Sequence, residues 1–320
     1  MISETLYAKY RAGLEDFWCR RASRPRFSRQ LRLFGRKLSV CSNHQGALAA
    51  IDYCVPLYSR APPTEHGPFH IQLVVQAVSE DLAAVPDDLF DYIQYAGHAD
   101  WLTMQLGPWG HCYADLAQGR AVAVLTQQLA RRPEMISRCL LNTIITNLFI
   151  ASGFAMLHAS CLYREGRALL LMAAHNTGKS TTALRLALAG YPLLSDSMIF
   201  LSPDGEELLI LGFPVGRIKL RQDVLAEFPR IQPFLMTEPV RGEIKYSLDL
   251  RQFDGTLVEE NAAFPSDVDL CLLARSSEVD SHLEVVTRAE VMEAVMVNSL
   301  FYDSEDIWRR NLQEIQRLLD

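Results

Sequence analysis

The sequence lacks several features that would assign it to a simple functional class. It has no C-x-x-C pair, and its seven cysteines, an odd number, follow no regular spacing. Scattered, reduced cysteines fit the cytoplasm better than a disulfide framework. A positive charge balance is also missing. The net charge of -7 argues against a nucleic-acid partner, because nucleic-acid-binding proteins are normally basic.

Segments that would direct the chain to a membrane are also lacking. Residues 1–11 do not contain the apolar core of a signal peptide. The stretch 140–157 is mostly apolar, but it carries Asn142 and Asn147 and contains Gly153 near its end. This pattern predicts a buried helix that ends near Gly153 rather than a membrane span. We therefore expect no membrane association.

What remains is the composition of a globular α/β protein with a sizeable core. Of 320 residues, 49% are hydrophobic and 22% charged, and this length usually corresponds to two domains. Residues 1–125 read as an α+β region, with strands predicted in 32–40 and 69–75. Residues 126–320 begin with an apolar helix over 135–155 and then alternate strands and helices, which predicts a second domain with a mixed sheet.

The most informative stretch runs from Ala168 to Thr182. A continuous apolar strand, Ala168–Met172, precedes a short loop and a helix that starts near Lys179. The loop ends in Gly178-Lys179-Ser180, the last three positions of the phosphate-binding pattern G-x-x-x-x-G-K-[ST]. Backbone N–H groups of such a loop wrap phosphates, and the start of the following helix adds partial positive charge.

Several residues of the loop have expected roles in binding a nucleotide and its metal. We expect the loop to bind phosphate with Lys179 as the main cation, Ser180 as a Mg²⁺ ligand and Thr181 near an inner phosphate. His175 either faces the phosphates or caps the loop. The predicted nucleotide-binding residues are Ala174, His175, Asn176, Thr177, Gly178, Lys179, Ser180 and Thr181.

The first glycine of the pattern is replaced by Ala173. Alanine is the smallest replacement and works where the residue keeps a negative φ. Asn176, in the middle of the loop, is among the non-glycine residues that best tolerate a positive φ, so the loop can still curl there. The next predicted strand ends at Asp196, which would present a carboxylate to the metal or to a nucleophile.

Three segments together carry a resemblance to a known family. They are Leu157-His158-Ala159-Ser160, then 178–184 (GKSTTAL), then 190–197 (GYPLLSDS). In order and spacing they resemble the HPr kinase/phosphorylase family and the looser group of HPr-kinase-related proteins. The resemblance implies a core similar to that of phosphoenolpyruvate carboxykinase, with ATP and Mg²⁺ as cofactors, and transfer of phosphate to a serine hydroxyl.

The resemblance also implies catalytic roles. Lys179 would bind phosphates, Asp196 would accept the proton of the acceptor hydroxyl and share the metal with Ser180, and His158 would lie close to Asp196. These roles agree with the needs of phosphoryl transfer, which are positioning and charge neutralisation. A homo-oligomer is a further expectation from the family.

The sequence departs from the family pattern at two places. The second aspartate of the family is Ser197 here, and the Glu-x-Arg-Gly-Leu-Gly signature is missing. The nearest stretch is 211–220, which offers Arg217 and Lys219. With Arg241 and Lys245, these are candidates for neutralising the transferred phosphate. Glu206, Glu207 or Glu243 would have to replace the missing metal-site carboxylate.

The sequence therefore predicts an ATP- and Mg²⁺-dependent kinase in the cytoplasm. Its acceptor is expected to be a serine of a peptide or small protein, recognised by the domain at 1–125. The alternative is a catalytically silent nucleotide-binding regulator or scaffold, because Ala173, Ser197 and the missing glutamate weaken the site. Whether the donor is ATP, ADP or pyrophosphate stays open.

Overall fold

The computed structural model of the chain describes residues 25–54, 68–76, 83–98, 100–174, 176–203, 207–214, 216–240, 242–259, 262–275, 282–299 and 304–319. The described residues up to Ser152 form one compact unit, the first unit, and those from Gly153 onward form the second unit. Both units combine helices with mixed sheets, so the predicted α/β class is confirmed.

The first unit is built on a seven-stranded mixed sheet with the order β1-β2-β3-β7-β6-β5-β4. Strands β2, β3 and β7 are parallel, and the other neighbouring pairs are antiparallel. The strands are β1 (Phe27–Leu33), β2 (Arg36–Ser42), β3 (Phe69–Gln76), β4 (Ile93–His98), β5 (Trp101–Leu106), β6 (Gly110–Asp115) and β7 (Arg120–Thr126).

The stretch 32–40, predicted to be strand, contains a hairpin turn. Phe34 and Gly35 have φ values of 52° and 78°, so the chain reverses between β1 and β2. The aromatic ring of Phe34 is buried and packs edge-on against Phe149 at 4.8 Å between ring centroids. Packing of this ring compensates for a backbone conformation that non-glycine residues rarely adopt.

The helices after β7 belong to the first unit, whereas the sequence assigned them to the second domain. They are α2 (Gln127–Ala130), α3 (Pro133–Ile136), a π-helical turn (Ser137–Leu141) and α4 (Asn142–Ala151), and α1 (Gln45–Ala49) precedes them in the chain. Phe149 of α4 packs against Phe69 of β3 at 5.1 Å. The helical run ends at Ser152-Gly153, as predicted, and the units divide there rather than at residue 125 because these helices cover the first sheet.

The second unit contains three smaller sheets among its described residues. Their strand orders are β11-β9-β10-β18, β17-β13-β12-β8 and β14-β16-β15. The strands are β8 (Ala155–Leu157), β9 (Ser160–Arg164), β10 (Arg167–Ala173), β11 (Leu193–Ser195), β12 (Ile199–Leu201), β13 (Ile210–Gly212), β14 (Arg217–Arg221), β15 (Met236–Val240), β16 (Glu243–Asp249), β17 (Ala262–Ala263) and β18 (Asp267–Leu273).

Four α-helices lie in the described part of the second unit. They are α5 (Lys179–Leu188), α6 (Leu250–Phe253), α7 (Arg288–Val297) and α8 (Glu305–Leu319). Thr287 and Glu290 form a capping box at the start of α7. None of the helices in the described ranges is long and apolar enough to cross a membrane.

Strand β10 is the centre of the second unit. It pairs antiparallel with β9 and parallel with β18, so both of its edges are hydrogen-bonded. Its side chains alternate between two buried clusters, with Leu170 and Met172 in one and Leu171 in the other. Ala183 and Leu184 of α5 pack in the cluster of Leu171. Burial on both faces explains why the strand is continuously apolar, and it fixes where the following loop emerges.

Candidate functional site

The chain passes from β10 into α5 through a short loop with two left-handed residues. Ala173 is the last residue of β10 and has no positive φ, so the missing glycine is accommodated within the strand. Asn176 has a φ of 61°, the conformation considered for it from the sequence, and Gly178 has a φ of 110°. His175 lies outside the described residues.

The start of α5 leaves backbone donors available to a ligand. The first intrahelical bond of α5 runs from the N–H of Thr182 to the carbonyl of Gly178 at 2.9 Å. The N–H groups of the first turn have no carbonyl partner within a helix, and Gly178 brings no side chain that could cap them. This helix start therefore has the form of an anion site.

The loop residues line one cleft, with a cavity volume of about 190 Å³, which we call the loop cleft. Every described residue predicted to bind nucleotide contributes to it: Ala174, Asn176, Thr177, Gly178, Lys179, Ser180 and Thr181. The other residues that line it are His158, Ser197, Lys219, Arg221, Asp223, Val224, Lys245 and Arg275.

Lys179 contacts His158 in this cleft. Nζ of Lys179 lies 2.9 Å from Nε2 of His158, and the lysine is 8% exposed. Burial lowers the pKa of Lys179 from 10.5 to about 8, while the negative charge of Asp196 acts in the opposite direction. The backbone N–H of His158 donates to the carbonyl of Asn298 at 2.7 Å, which fixes the start of the segment that joins β8 to β9.

Asp196 is buried directly after β11, at the strand end where the sequence predicted it. It is 3% exposed and accepts a hydrogen bond from the hydroxyl of Ser160 at Oδ1, with a distance of 2.5 Å. The hydroxyl of Ser197 lies 3.5 Å from Oδ2, and Ser197 has a φ of 82°. The charge of Asp196 acts on Lys179, although the carboxylate itself does not line the loop cleft.

The predicted metal ligands are Ser180 and Asp196. Mg²⁺ in nucleotide sites is usually held by one or two carboxylates together with substrate phosphates and water, so a hydroxyl and one carboxylate are a suitable protein contribution. Within the described ranges, no three His, Cys, Asp or Glu side chains cluster as metal ligands. Glu207 and Glu243 do not line the loop cleft, and Glu206 lies outside the described residues.

The three cations predicted to bind the transferred phosphate have different positions. Lys219 of β14 lines the loop cleft, and its Nζ lies 2.6 Å from Oε1 of Glu238. Arg217, on the same strand, is half-buried and does not line the cleft, so its role in phosphate binding stays a prediction. Arg241 lies outside the described residues. Lys245, the further candidate, does line the cleft.

Three residues beside the loop cleft or Asp196 were not predicted from the sequence. Arg221 follows Lys219 by two positions on β14, so strand alternation was a usable signal. Arg275 follows β18, and its guanidinium donates to the carbonyl of Asn176 at 2.7 Å. That contact depends on the parallel pairing of β10 with β18, which no local pattern reveals. Ser160 was quoted only as part of a motif, without its role beside Asp196.

Comparison with known proteins does not assign the chain to a family. No family model matches the chain, and no curated protein matches it. Among solved structures, the chain is similar to the Hpr(Ser) kinase/phosphatase from Coxiella burnetii, with a TM-score of 0.27 and 19% sequence identity. The alignment covers 36% of this chain and 63% of that protein, so the chain spans less than two thirds of its length.

Proposed function

We propose that the protein is an ATP- and Mg²⁺-dependent kinase that phosphorylates a hydroxyl group, most suitably a serine of a peptide or small protein. One observation carries the proposal. The buried ammonium group of Lys179 meets His158 at the uncapped start of α5 and interacts with the charge of Asp196. These contacts support a site that combines a phosphate loop, a histidine and an aspartate from three separate segments.

In this proposal the loop binds the donor and Asp196 acts on the acceptor. Backbone N–H groups at the start of α5 and the ammonium of Lys179 hold the outer phosphates of ATP. Ser180 and Asp196 would hold Mg²⁺, which would supply neutralisation of the phosphate charge. Asp196 accepts the hydroxyl proton as the acceptor oxygen forms its bond to the γ-phosphorus. The bond between the γ-phosphorus and the bridging oxygen breaks, and ADP leaves.

A second candidate function is a nucleotide-binding regulator without transfer activity. It is favoured by the surroundings of Asp196, whose Oδ1 accepts a bond from Ser160 and whose Oδ2 lies near the hydroxyl of Ser197. A carboxylate engaged in this way binds a metal or a proton less readily than a free one. The second aspartate of the related family is also absent at Ser197.

The two functions differ in turnover. The proposed kinase releases ADP from ATP·Mg²⁺ in the presence of serine-containing peptides, and Asp196→Asn lowers the rate by at least about 100-fold. Asp269→Asn, which removes an exposed carboxylate of the same unit that does not line the loop cleft, is the control and keeps its rate. Nucleotide binding with no turnover in any peptide pool, or equal turnover in Asp196→Asn, would reject the kinase proposal.

A further inference from the structure

One face of the β14-β16-β15 sheet carries a group of cations beside the loop cleft. On β14, Ile218 and Leu220 are fully buried in the core shared with α5, so Lys219 and Arg221 point to the opposite face. On β16, Lys245 is directly opposite Arg221 and therefore lies on the same face. We call Lys219, Arg221 and Lys245 the cationic face, and all three line the cleft.

The charges of the cationic face are only partly compensated. Lys219 pairs with Glu238 at 2.6 Å, and Nε of Arg221 lies 3.3 Å from Oδ1 of Asp223. The side chain of Lys245 forms no hydrogen bond or ion pair with any described residue, although Glu238 is its cross-strand neighbour. Like charges directly opposite each other on neighbouring strands are destabilising. Asp223 and Glu238 offset part of the repulsion between Arg221 and Lys245, and an anion bound at this pair would offset more of it.

The donor nucleotide does not account for this face. In the proposed function, the phosphates of the donor bind the start of α5 and Lys179. The guanidinium of Arg275 donates to the backbone carbonyl of Asn176 in the loop. Lys219 and Arg221 are two residues apart on one strand, about 6.6 Å along it, and Lys245 is on the next strand. The three cations thus extend over two strands, so together they can contact more than one carboxylate of an extended peptide.

We infer that the acceptor is an acidic peptide segment, whose carboxylate side chains bind Lys245 and Arg221 beside the loop. The inference rests on the proposed function, because it names the acceptor of the same site. The cationic face would then recognise the residues that flank the acceptor hydroxyl, a role that neither the loop nor Asp196 has in the proposed function. Such recognition is electrostatic, so it weakens as salt concentration rises.

The test compares two synthetic peptides with the full-length protein saturated with a non-hydrolysable ATP analogue and Mg²⁺. One peptide is blocked Asp-Asp-Ser-Asp-Asp and the other is blocked Asn-Asn-Ser-Asn-Asn, and binding is measured by calorimetry. We expect the acidic peptide to bind at least about tenfold more tightly, and Lys245→Gln to reduce this preference to less than about twofold. Lys245→Glu should weaken the acidic peptide further.

The control is Lys37→Gln, which removes an exposed lysine that does not line the loop cleft and should keep the preference. Equal affinities of the two peptides in wild type would overturn the inference. So would a Lys245→Gln variant that weakens the ATP analogue tenfold and leaves peptide preference intact, because the cation would then serve the donor. A protein that binds no ATP analogue contradicts the proposed function itself, which separates that failure from failure of the acceptor assignment.

Discussion

The ammonium group of Lys179 lies 2.9 Å from Nε2 of His158, inside the cleft formed by the loop before α5. When the lysine is charged it donates to this nitrogen, so the imidazole is neutral and carries its proton on Nδ1. The contact holds the one buried cation of the described loop close to the position that phosphate would take.

The first prediction concerns the pH dependence of nucleotide binding. Because burial lowers the pKa of Lys179 to about 8, the free protein loses this charge as pH rises through 8. Phosphate favours the charged form, so affinity for ATP·Mg²⁺ should fall between pH 7.5 and 9.5 by at most about tenfold per unit. Calorimetry at pH 8 in two buffers of different ionisation enthalpy should detect uptake of about half a proton per nucleotide.

Lys179→Arg is the control for this pH dependence, because arginine stays charged throughout the range. A wild-type affinity that is constant from pH 7.5 to 9.5 would contradict the assignment of Lys179. The lowered pKa of Lys179 has the opposite effect on the stability of the ligand-free protein, which increases with pH. Since the folded-state pKa of Lys179 lies below its ordinary value of 10.5, this group makes the free energy of unfolding rise as pH increases from about 8 to 10.5.

A second prediction compares the glycines near the two ends of α5. Gly178 and Gly190 have φ values of 110° and 93°, and a Cβ at either position meets no atom within 4 Å. Alanine at either site therefore costs backbone strain alone, about 1–2 kcal/mol of unfolding free energy. Only Gly178→Ala should also weaken nucleotide binding, since it moves the N–H groups of the loop.

Chemical denaturation and calorimetry on the two variants test this difference. Gly190→Ala serves as the control for strain, because it destabilises the same helix from the end away from the cleft. If both variants bind ATP·Mg²⁺ as tightly as wild type, the loop backbone is not the phosphate ligand.

A third prediction assigns a positioning role to Ser160. Its fully buried hydroxyl donates to Oδ1 of Asp196, which orients the other carboxylate oxygen. Ser160→Ala should lower kcat by about tenfold or more and leave KM for ATP nearly unchanged, because only the transition state uses this orientation. It should also cost about 1–3 kcal/mol of unfolding free energy, since Asp196 loses a buried partner.

Ser195→Ala is a matched control for Ser160→Ala. Ser195 is equally buried, but its hydroxyl donates to the carbonyl of Pro214 at 3.3 Å and not to Asp196. A similar loss of kcat in both variants would indicate general destabilisation and would remove the positioning role from Ser160.

The sequence predicted the central part of the second unit because its signals are local. A continuous apolar run gives a strand buried on both faces, and Gly178 and Gly190 bracket the following helix. Between His158 and Asp196 the chain forms β9, β10, α5 and β11, and β11 lies beside β9 in the sheet. The family motif implied that His158 would lie close to Asp196, whereas the contact of His158 with Lys179 was not predicted.

Features that depend on distant pairing were not predictable in the same way. Arg275 reaches the loop because β10 and β18 are parallel, with Ala173 opposite Leu273 and their carboxyl ends at the same sheet edge. Only Gly35 signalled the turn after β1 in the sequence, because Phe34 is not a typical turn residue and its conformation depends on packing against Phe149. The domain boundary was missed for a related reason, since an apolar helix does not indicate which sheet it covers.

The fourth prediction tests the central claim, that this cleft binds ATP·Mg²⁺ through Lys179. The measurement is calorimetric titration of the full-length protein with a non-hydrolysable ATP analogue and Mg²⁺ at pH 7.5, beside Lys179→Met and the control Lys37→Met. We predict one nucleotide per chain, a loss of at least about 100-fold in affinity for Lys179→Met, and no change for Lys37→Met. Absence of binding in wild type, or equal affinity in Lys179→Met, would contradict the account.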